Sequence, residues 1–378
     1  MVKKLFKHYD YSIIVAVLLL TGFGLIMVYS SSTIWSVIQL KKASDFIFLS
    51  QLKWTILALI AGFFGLIIPY KMYKALVKPI LFGTLALLIM VLLIGQVHNH
   101  AQSWFSIGSF NIQPAEIAKL AVIIYLASVF SNKQAFISEF KSSVLPPLIM
   151  ISLIFLLIAI QPDLGSAMIV AGISGAVILC SGIRVKHVVM LLILAGIALG
   201  AIFTFSLTSE QANRLATYSD PFAQSQEGGL QLINSYIAIA SGGLTGKGLG
   251  NSIEKAGYLP EPHTDFIVAI IAEELGVIGV LFILICIGYF VVKGIYTGIR
   301  CQDVFGSLLA IGISSFIGIQ TLINLCVATG LLPNTGVTLP FISYGGSSLI
   351  MTMFSAGILI NITGFVRLKE KAKQEEAA

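Results

Sequence analysis

An all-α polytopic membrane protein of ten transmembrane helices is what this chain of 378 residues predicts, and three observations carry the prediction. Hydrophobic residues make up 57% of the chain and its mean hydropathy is +0.95, more apolar surface than a core of this size could hide. The apolar residues fall in runs of bilayer-spanning length. Lysine and arginine gather in the short segments between those runs, as membrane topology requires.

The basic opening "MVKKLFKHYD" has the look of a signal peptide, but the apolar run after it, at 11–30, exceeds the roughly 7 to 15 residues of a cleaved segment. It predicts an uncleaved first span. Further runs at 46–68, 76–94, 114–130, 144–160, 165–181, 188–205, 266–292, 304–328 and 344–365 supply nine more. An even number returns both termini to one side. With the termini inside, the inner segments 1–10, 69–78, 131–143, 182–187, 293–303 and 366–378 hold 16 basic residues. The outer loops hold five: Lys41, Lys42, Arg214, Lys247 and Lys255. That asymmetry makes both termini cytoplasmic. The chain is then a single membrane domain, 1–378, with a long extracytoplasmic loop at about 206–265 between spans seven and eight and a cytoplasmic tail at 366–378.

The formal charge of +6 does not indicate a nucleic-acid partner, because the 23 basic residues never form a long patch. Cys180, Cys286 and Cys326 lie in apolar runs and Cys301 in a short loop, with no CxxC pair, so free thiols are expected.

Acids run opposite to the bases: Asp45, Glu116, Asp163, Glu210, Asp220, Glu227, Glu254, Glu261 and Asp265 fall on or near the outer side. Four even-numbered spans open there on proline with polar neighbours, at Pro114, Pro162, Pro262 and Pro340. Proline suits the first helical position, and such starts aim free amides and partial positive charge outward, where anionic groups are received. The four starts are expected to line one outward-facing polar cavity, although Pro79 and Pro146 open inner-side helices with no acid nearby.

The acids concentrate in "YLPEPHTDFIVAIIAEELG", residues 258–276. Asp265 alone has an ordinary explanation, stabilisation by the helix dipole of about 0.3 to 1 kcal/mol. Helical spacing puts Ala269, Ala272 and Gly276 on its stripe, leaving room for a neighbouring helix or a substrate. Glu273 and Glu274 lie about two turns deeper, where a carboxylate needs a partner or water, so they are expected to hold helices together or line the cavity floor. Glu116 and Lys119, three apart, are either an ion pair that eases charge into the membrane or an orienting acid and a phosphate-binding cation. His263 has no second histidine at ligand spacing and reads either as a loop residue or as an acid–base group. "SGGLTGKGLGNS" (241–252) is not a phosphate loop, since Ser241 stands where the first Walker glycine belongs and Gly248 follows Lys247. Ahead of it, Leu232, Ile233, Tyr236, Ile237 and Ala240 suit a short helix in the membrane interface.

Taken together, "QPAEIAK", "QPDLGSA", "GGLTGKGLGNSIEKAGYLPEPHTDFIVAIIAEELG" and "LPFISYGGSS", spread over ten spans, closely resemble the SEDS family of bacterial cell-shape and division proteins, FtsW, RodA and SpoVE, over nearly the whole chain. "TGVTLPFISYGGSS" resembles the division branch. The resemblance implies a peptidoglycan glycosyltransferase at the bacterial cytoplasmic membrane and the division septum that polymerises lipid II on the outer face. It also implies a class B penicillin-binding protein, the cross-linking transpeptidase, as partner, beside other division or elongation proteins and membrane lipid. By motif Asp265 matches the family's essential aspartate, and Glu116, Lys119 and Asp163 its cavity charges. Trp104, Gln161, Arg214, Lys247, Lys255, His263, Ser343 and Tyr344 complete the candidate substrate-binding set. Many members have Arg-Trp where this chain has Ser103-Trp104, so contacts assigned to that arginine have no counterpart here.

The residues suit that chemistry. An inverting attack of a sugar 4-hydroxyl on an anomeric carbon needs one base, which a partly desolvated aspartate provides. Pyrophosphate leaves readily, so cations and amides can replace a general acid. Arg214, Lys119, Lys247, Lys255, the helix starts or a divalent cation, Mg or Mn, are the candidates for that role, and the metal ligands are unknown. Two other readings compete. A lipid II flippase also displays intramembrane charges and broken helices, but needs polarity reaching both faces. A scaffold that only recruits the transpeptidase leaves the outer carboxylates without a role.

Overall fold

The structure, a computed structural model, describes residues 6–98, 101–107, 110–187, 189–190, 217–223 and 228–377. The chain is a bundle of long apolar helices. In order these are α1 (Tyr11–Ile38), α2 (Phe46–Ile67), the one-turn-and-a-half α3 (Tyr70–Ala75), α4 (Val77–Ile94), α5 (Pro114–Asn132), α6 (Leu145–Ile160), α7 (Leu164–Cys180), α8 (Gly228–Gly242), α9 (Ile267–Arg300), α10 (Val304–Ala328) and α11 (Gly346–Ala377). Nine of the ten expected spans are helices, eight of them long and apolar enough to cross a bilayer, with α7 shorter at 17 residues. The expected span at 188–205 falls almost wholly outside the described residues.

The ends of the helices follow from local chemistry. Asp10 caps α1 by accepting from the Ser12 amide, and Asp303 caps α10 through the Gly306 amide. Pro114 occupies the first turn of α5 as expected. Pro162, Pro262 and Pro340 do not open helices: they stand in the connections ahead of α7, α9 and α11, and Asp163 is the cap of α7, its carboxylate accepting from the Ser166 amide. α11 continues through "RLKEKAKQEEA", so most of the expected cytoplasmic tail is helical, with Lys371 and Glu375 paired one turn apart at 3.8 Å.

Two features depart from a plain all-α bundle. Between α4 and α5 the chain folds into a small antiparallel sheet, β1 (Gln96–His98), β2 (Ala101–Ile107) and β3 (Phe110–Ile112), in that order. Its strands are too short for a period-2 pattern to stand out beside runs of about 20 apolar residues. And α9, 34 residues long, is broken at Gly276 (φ 64°, ψ −160°), a conformation that favours glycine.

The most buried helices, α5, α10 and α11, form the centre, while α1, α2, α4, α6 and the second half of α9 present exposed apolar side chains outward. That outward greasiness is how a multi-pass membrane protein meets lipid. Asp10, at the head of α1, accepts from Arg367 of α11 at 2.5 Å and lies 3.7 Å from Lys293 of α9. The two ends of the chain therefore share one face, as an even number of crossings requires.

Candidate active site

The site is built where the outer ends of five helices meet. Asp265 stands just ahead of α9, 8% exposed, one residue before the helix cap Phe266. Thr264 Oγ1 donates to its Oδ1 at 2.9 Å, and its own carbonyl accepts from Asn324 Nδ2 of α10 at 2.7 Å. The carboxylate thus lies at the positive end of a long helix, shielded from water. Both loops flanking it hold a non-glycine residue at positive φ, Glu261 (45°) and Phe341 (67°), a cost of order 1–3 kcal/mol each that clusters at functional sites.

The stripe below Asp265 is small, but backbone rather than substrate fills it. The chain after α8 packs its glycines onto the break in α9: a Cβ at Gly242 would collide with the Ala272 carbonyl, and one at Gly246 with the Glu274 carbonyl. Lys247 N and Gly248 N donate to Glu273 O and Glu274 O at 2.9 Å each, and Val277 N donates to Gly243 O at 3.0 Å. The glycine run is therefore a docking segment for a broken helix.

Glu273 and Glu274, both fully buried, anchor that docking with their side chains. Glu273 is paired with Lys247 at 2.7 Å and accepts from Ser252 Oγ at 2.5 Å and Ile253 N at 3.0 Å. Glu274 is paired with Lys255 at 2.6 Å and accepts from Ser30 of α1 at 2.7 Å. The Lys255 ammonium, 4% exposed, also donates to Ser30, whereas Lys247 remains 29% exposed. In the same loop burial, with the Glu273 charge behind it, pushes the Glu254 carboxyl upward.

A second cluster is centred on Lys119. Its ammonium donates to Glu116 Oε1 at 2.7 Å and to Gln320 Oε1 of α10 at 3.1 Å, so the expected ion pair is present, with Glu116 Oε2 buried and without a partner. Gln320 donates in turn to Thr338 O at 2.9 Å, and Thr338 is bonded to Ser348 of α11 at 3.0 Å. Gln113 at the head of α5 donates to Asp163 at 2.7 Å, and its amide to Ser347 of α11 at 3.2 Å. Tyr344 N donates to His263 O at 2.9 Å. The outer ends of α5, α7, α9, α10 and α11 are thereby joined.

His263 is buried between Trp35 and Tyr344 (centroids 6.4 and 5.4 Å away), its Nδ1 has no partner, and burial lowers its pKa to about 4. Tyr344 also bonds Ser50 of α2 at 3.1 Å, while Ser343 accepts from Leu339 N at 2.8 Å. Gln161 is fully buried against Leu88 O, its Oε1 unpartnered. Trp104 and Ser103 lie on β2 of the small sheet, and Arg214 falls outside the described residues. Sequence reasoning missed Asn324, Gln320, Thr338, Ser348 and Ser30. Asn324 stands alone in an apolar run and Gln320 beside only Thr321, while Ser30 opens the run Ser30–Thr33 and Thr338 and Ser348 fall in the stretch 333–348, so nothing in the sequence singled them out. Among the described residues no three His, Cys, Asp or Glu side chains converge as a metal cage.

The family model FTSW_RODA_SPOVE, described as "Cell cycle protein", matches residues 11–368. A Bacillus subtilis (strain 168) protein named "Probable peptidoglycan glycosyltransferase FtsW" is 50% identical, covering 100% of this chain and 96% of its own length. "Stage V sporulation protein E" of the same organism is 39% identical over 95% of this chain and 98% of its own length. Among solved structures, a chain of a peptidoglycan synthase complex described as coordinating polymerization and crosslinking matches with TM-score 0.77 and 26% identity, over 95% of this chain and 98% of that one. Thermus thermophilus rod shape determining protein RodA matches with TM-score 0.70 and 25% identity, over 94% and 96%.

Proposed function

This chain belongs to the FtsW/RodA/SpoVE family, and from that membership we propose that it is a peptidoglycan glycosyltransferase polymerising lipid II on the outer face of the membrane at the division septum. A class B penicillin-binding protein is the proposed partner, supported by the similarity to a chain of a polymerising and crosslinking complex. The observation that carries the reading is the buried Asp265 carboxylate at the outer head of α9, hydrogen-bonded by Thr264.

In the proposed step the 4-hydroxyl of one sugar gives its proton to Asp265 as its oxygen bonds to the anomeric carbon of the other unit. The bond from that carbon to undecaprenyl pyrophosphate breaks on the opposite side, inverting configuration, and the pyrophosphate departs with the electron pair. Held away from bulk water at a helix head and oriented by Thr264, the carboxylate is the group placed to take that proton. The donors at hand for the developing phosphate charge are amides at the helix heads and Lys119, which keeps one of its three N–H groups beyond Glu116 and Gln320. Lys255, with Glu274 and Ser30 as its two partners, keeps one N–H in the same way. A divalent cation carried in on the pyrophosphate would supply further charge there.

The purified protein with its transpeptidase partner is expected to elongate labelled lipid II, and Asp265→Asn to abolish elongation while leaving folding and partner binding intact. Full polymer yield from Asp265→Asn would remove Asp265 as the base. An inert wild type that moves lipid II across liposome bilayers would replace the polymerase with a flippase. Repeating the assay with a chelator measures the dependence on a metal.

A further inference from the structure

Asn324, on α10, is fully buried and uses both Nδ2 protons: one on the carbonyl of Asp265 and one on that of Val337, each at 2.7 Å. Both acceptors belong to chain lying between helices, with no helical ladder of its own to hold it. Its Oδ1 is buried without a partner, at a cost of about 1–3 kcal/mol that an apolar side chain would avoid. Turning the amide over would set that oxygen against two carbonyls, so the acceptors fix its orientation. One turn earlier on the same face, Gln320 repeats the arrangement, with its Nε2 on Thr338 O at 2.9 Å and its Oε1 receiving Lys119 at 3.1 Å. The two carboxamides grip consecutive carbonyls, 337 and 338. One extends to the backbone of Asp265 and the other to the Lys119 ammonium.

We propose that Asn324 is a positioning residue that fixes the Asp265 carboxylate relative to Lys119, α10 acting as the rule between them; this rests on the reading of Asp265 as the base. The clamped carbonyl is one bond from the Asp265 Cα, so releasing it frees the carboxylate to shift, and a misplacement of about 1 Å costs on the order of 100-fold in rate. Substrate contacts made elsewhere are untouched.

The test is steady-state polymerisation of labelled lipid II by the full chain with its partner. Asn324→Ala is expected to lower kcat roughly 10- to 100-fold with KM unchanged. Asn324→Asp, of nearly the same shape but with an acceptor in place of the donor, is expected to show the same split. It carries the test should Asn324→Ala not fold, as judged by gel filtration. Wild-type kcat in a folded Asn324→Asp overturns the proposal, and so does a rise in KM at constant kcat. An inactive Asp265→Asn beside a fully active Asn324→Ala overturns the positioning role alone, whereas a fully active Asp265→Asn overturns the base itself.

Discussion

At the scale of single residues, burial decides what the charged and polar side chains beside Asp265 can do. His263 is the sharpest case, since its imidazole sits among Trp35 and Tyr344 with Nδ1 unpartnered and its pKa lowered to about 4. The folded chain therefore holds the neutral ring, while the unfolded chain takes up a proton near the ordinary value of 6.5. Its contribution to stability is complete above pH 6.5 and is lost as the pH falls from 6.5 towards 4, by at most about 1.4 kcal/mol per unit. Thermal melting in detergent across that window should fall with pH in the wild type, and His263→Phe should flatten that part of the curve. An unchanged slope would mean that His263 is not the group being titrated. The chemical types of these residues were readable from the motif around Asp265. The orphaned Nδ1 was not, because it depends on Trp35 and Tyr344, residues distant in the chain.

Elements add constraints that composition alone hides. Ten runs of apolar residues mark where helices go, since each must satisfy its own backbone in lipid, and nine of them are helices here. The break in α9 was invisible in sequence, because "EELGVIG" reads as continuous helix until another segment donates to its carbonyls. Gly276 and the glycines at 242, 243 and 246 are the two halves of one joint. The acids at 273 and 274 read as expensive and needing partners, which was correct; that the partners are Lys247 and Lys255 depends on the loop folding back. The joint makes a specific prediction. Lys255→Met leaves Glu274 buried without its cation, a loss of about 3–5 kcal/mol. Adding Glu274→Met removes the stranded charge and should recover most of it. Limited proteolysis of the 243–258 loop reads the result: rapid cleavage in the single variant, near wild-type resistance in the double. Equal sensitivity in both would show that the joint is held by its backbone bonds alone.

The whole molecule sets the height of the site. Asp10, Lys293 and Arg367 form a charged group at one end of the bundle, which marks the inner boundary of the hydrocarbon. Counting about 20 residues, or about 30 Å, outward along α9 from Lys293 reaches the pair Glu273 and Glu274. Those carboxylates then sit toward the outer boundary, each neutralised by a lysine. Asp265 lies about two turns further along the chain, its carbonyl bonded to Asn324 near the outer end of α10. The lysine and arginine asymmetry sets one orientation, with the 243–265 loop outside and the tail of α11 inside, and the orientation can be read directly. In a cysteine-free background, Tyr258→Cys, 57% exposed in the loop, is expected to react with a membrane-impermeant maleimide on intact spheroplasts. Lys373→Cys, on the exposed end of α11, is expected to react only after permeabilisation. The reverse pattern would turn the molecule over and place Asp265 on the cytoplasmic side, where a polymer made outside the membrane could not be extended. Reaction of both positions in intact spheroplasts would require an even number of crossings between Tyr258 and Lys373, against the three of α9, α10 and α11.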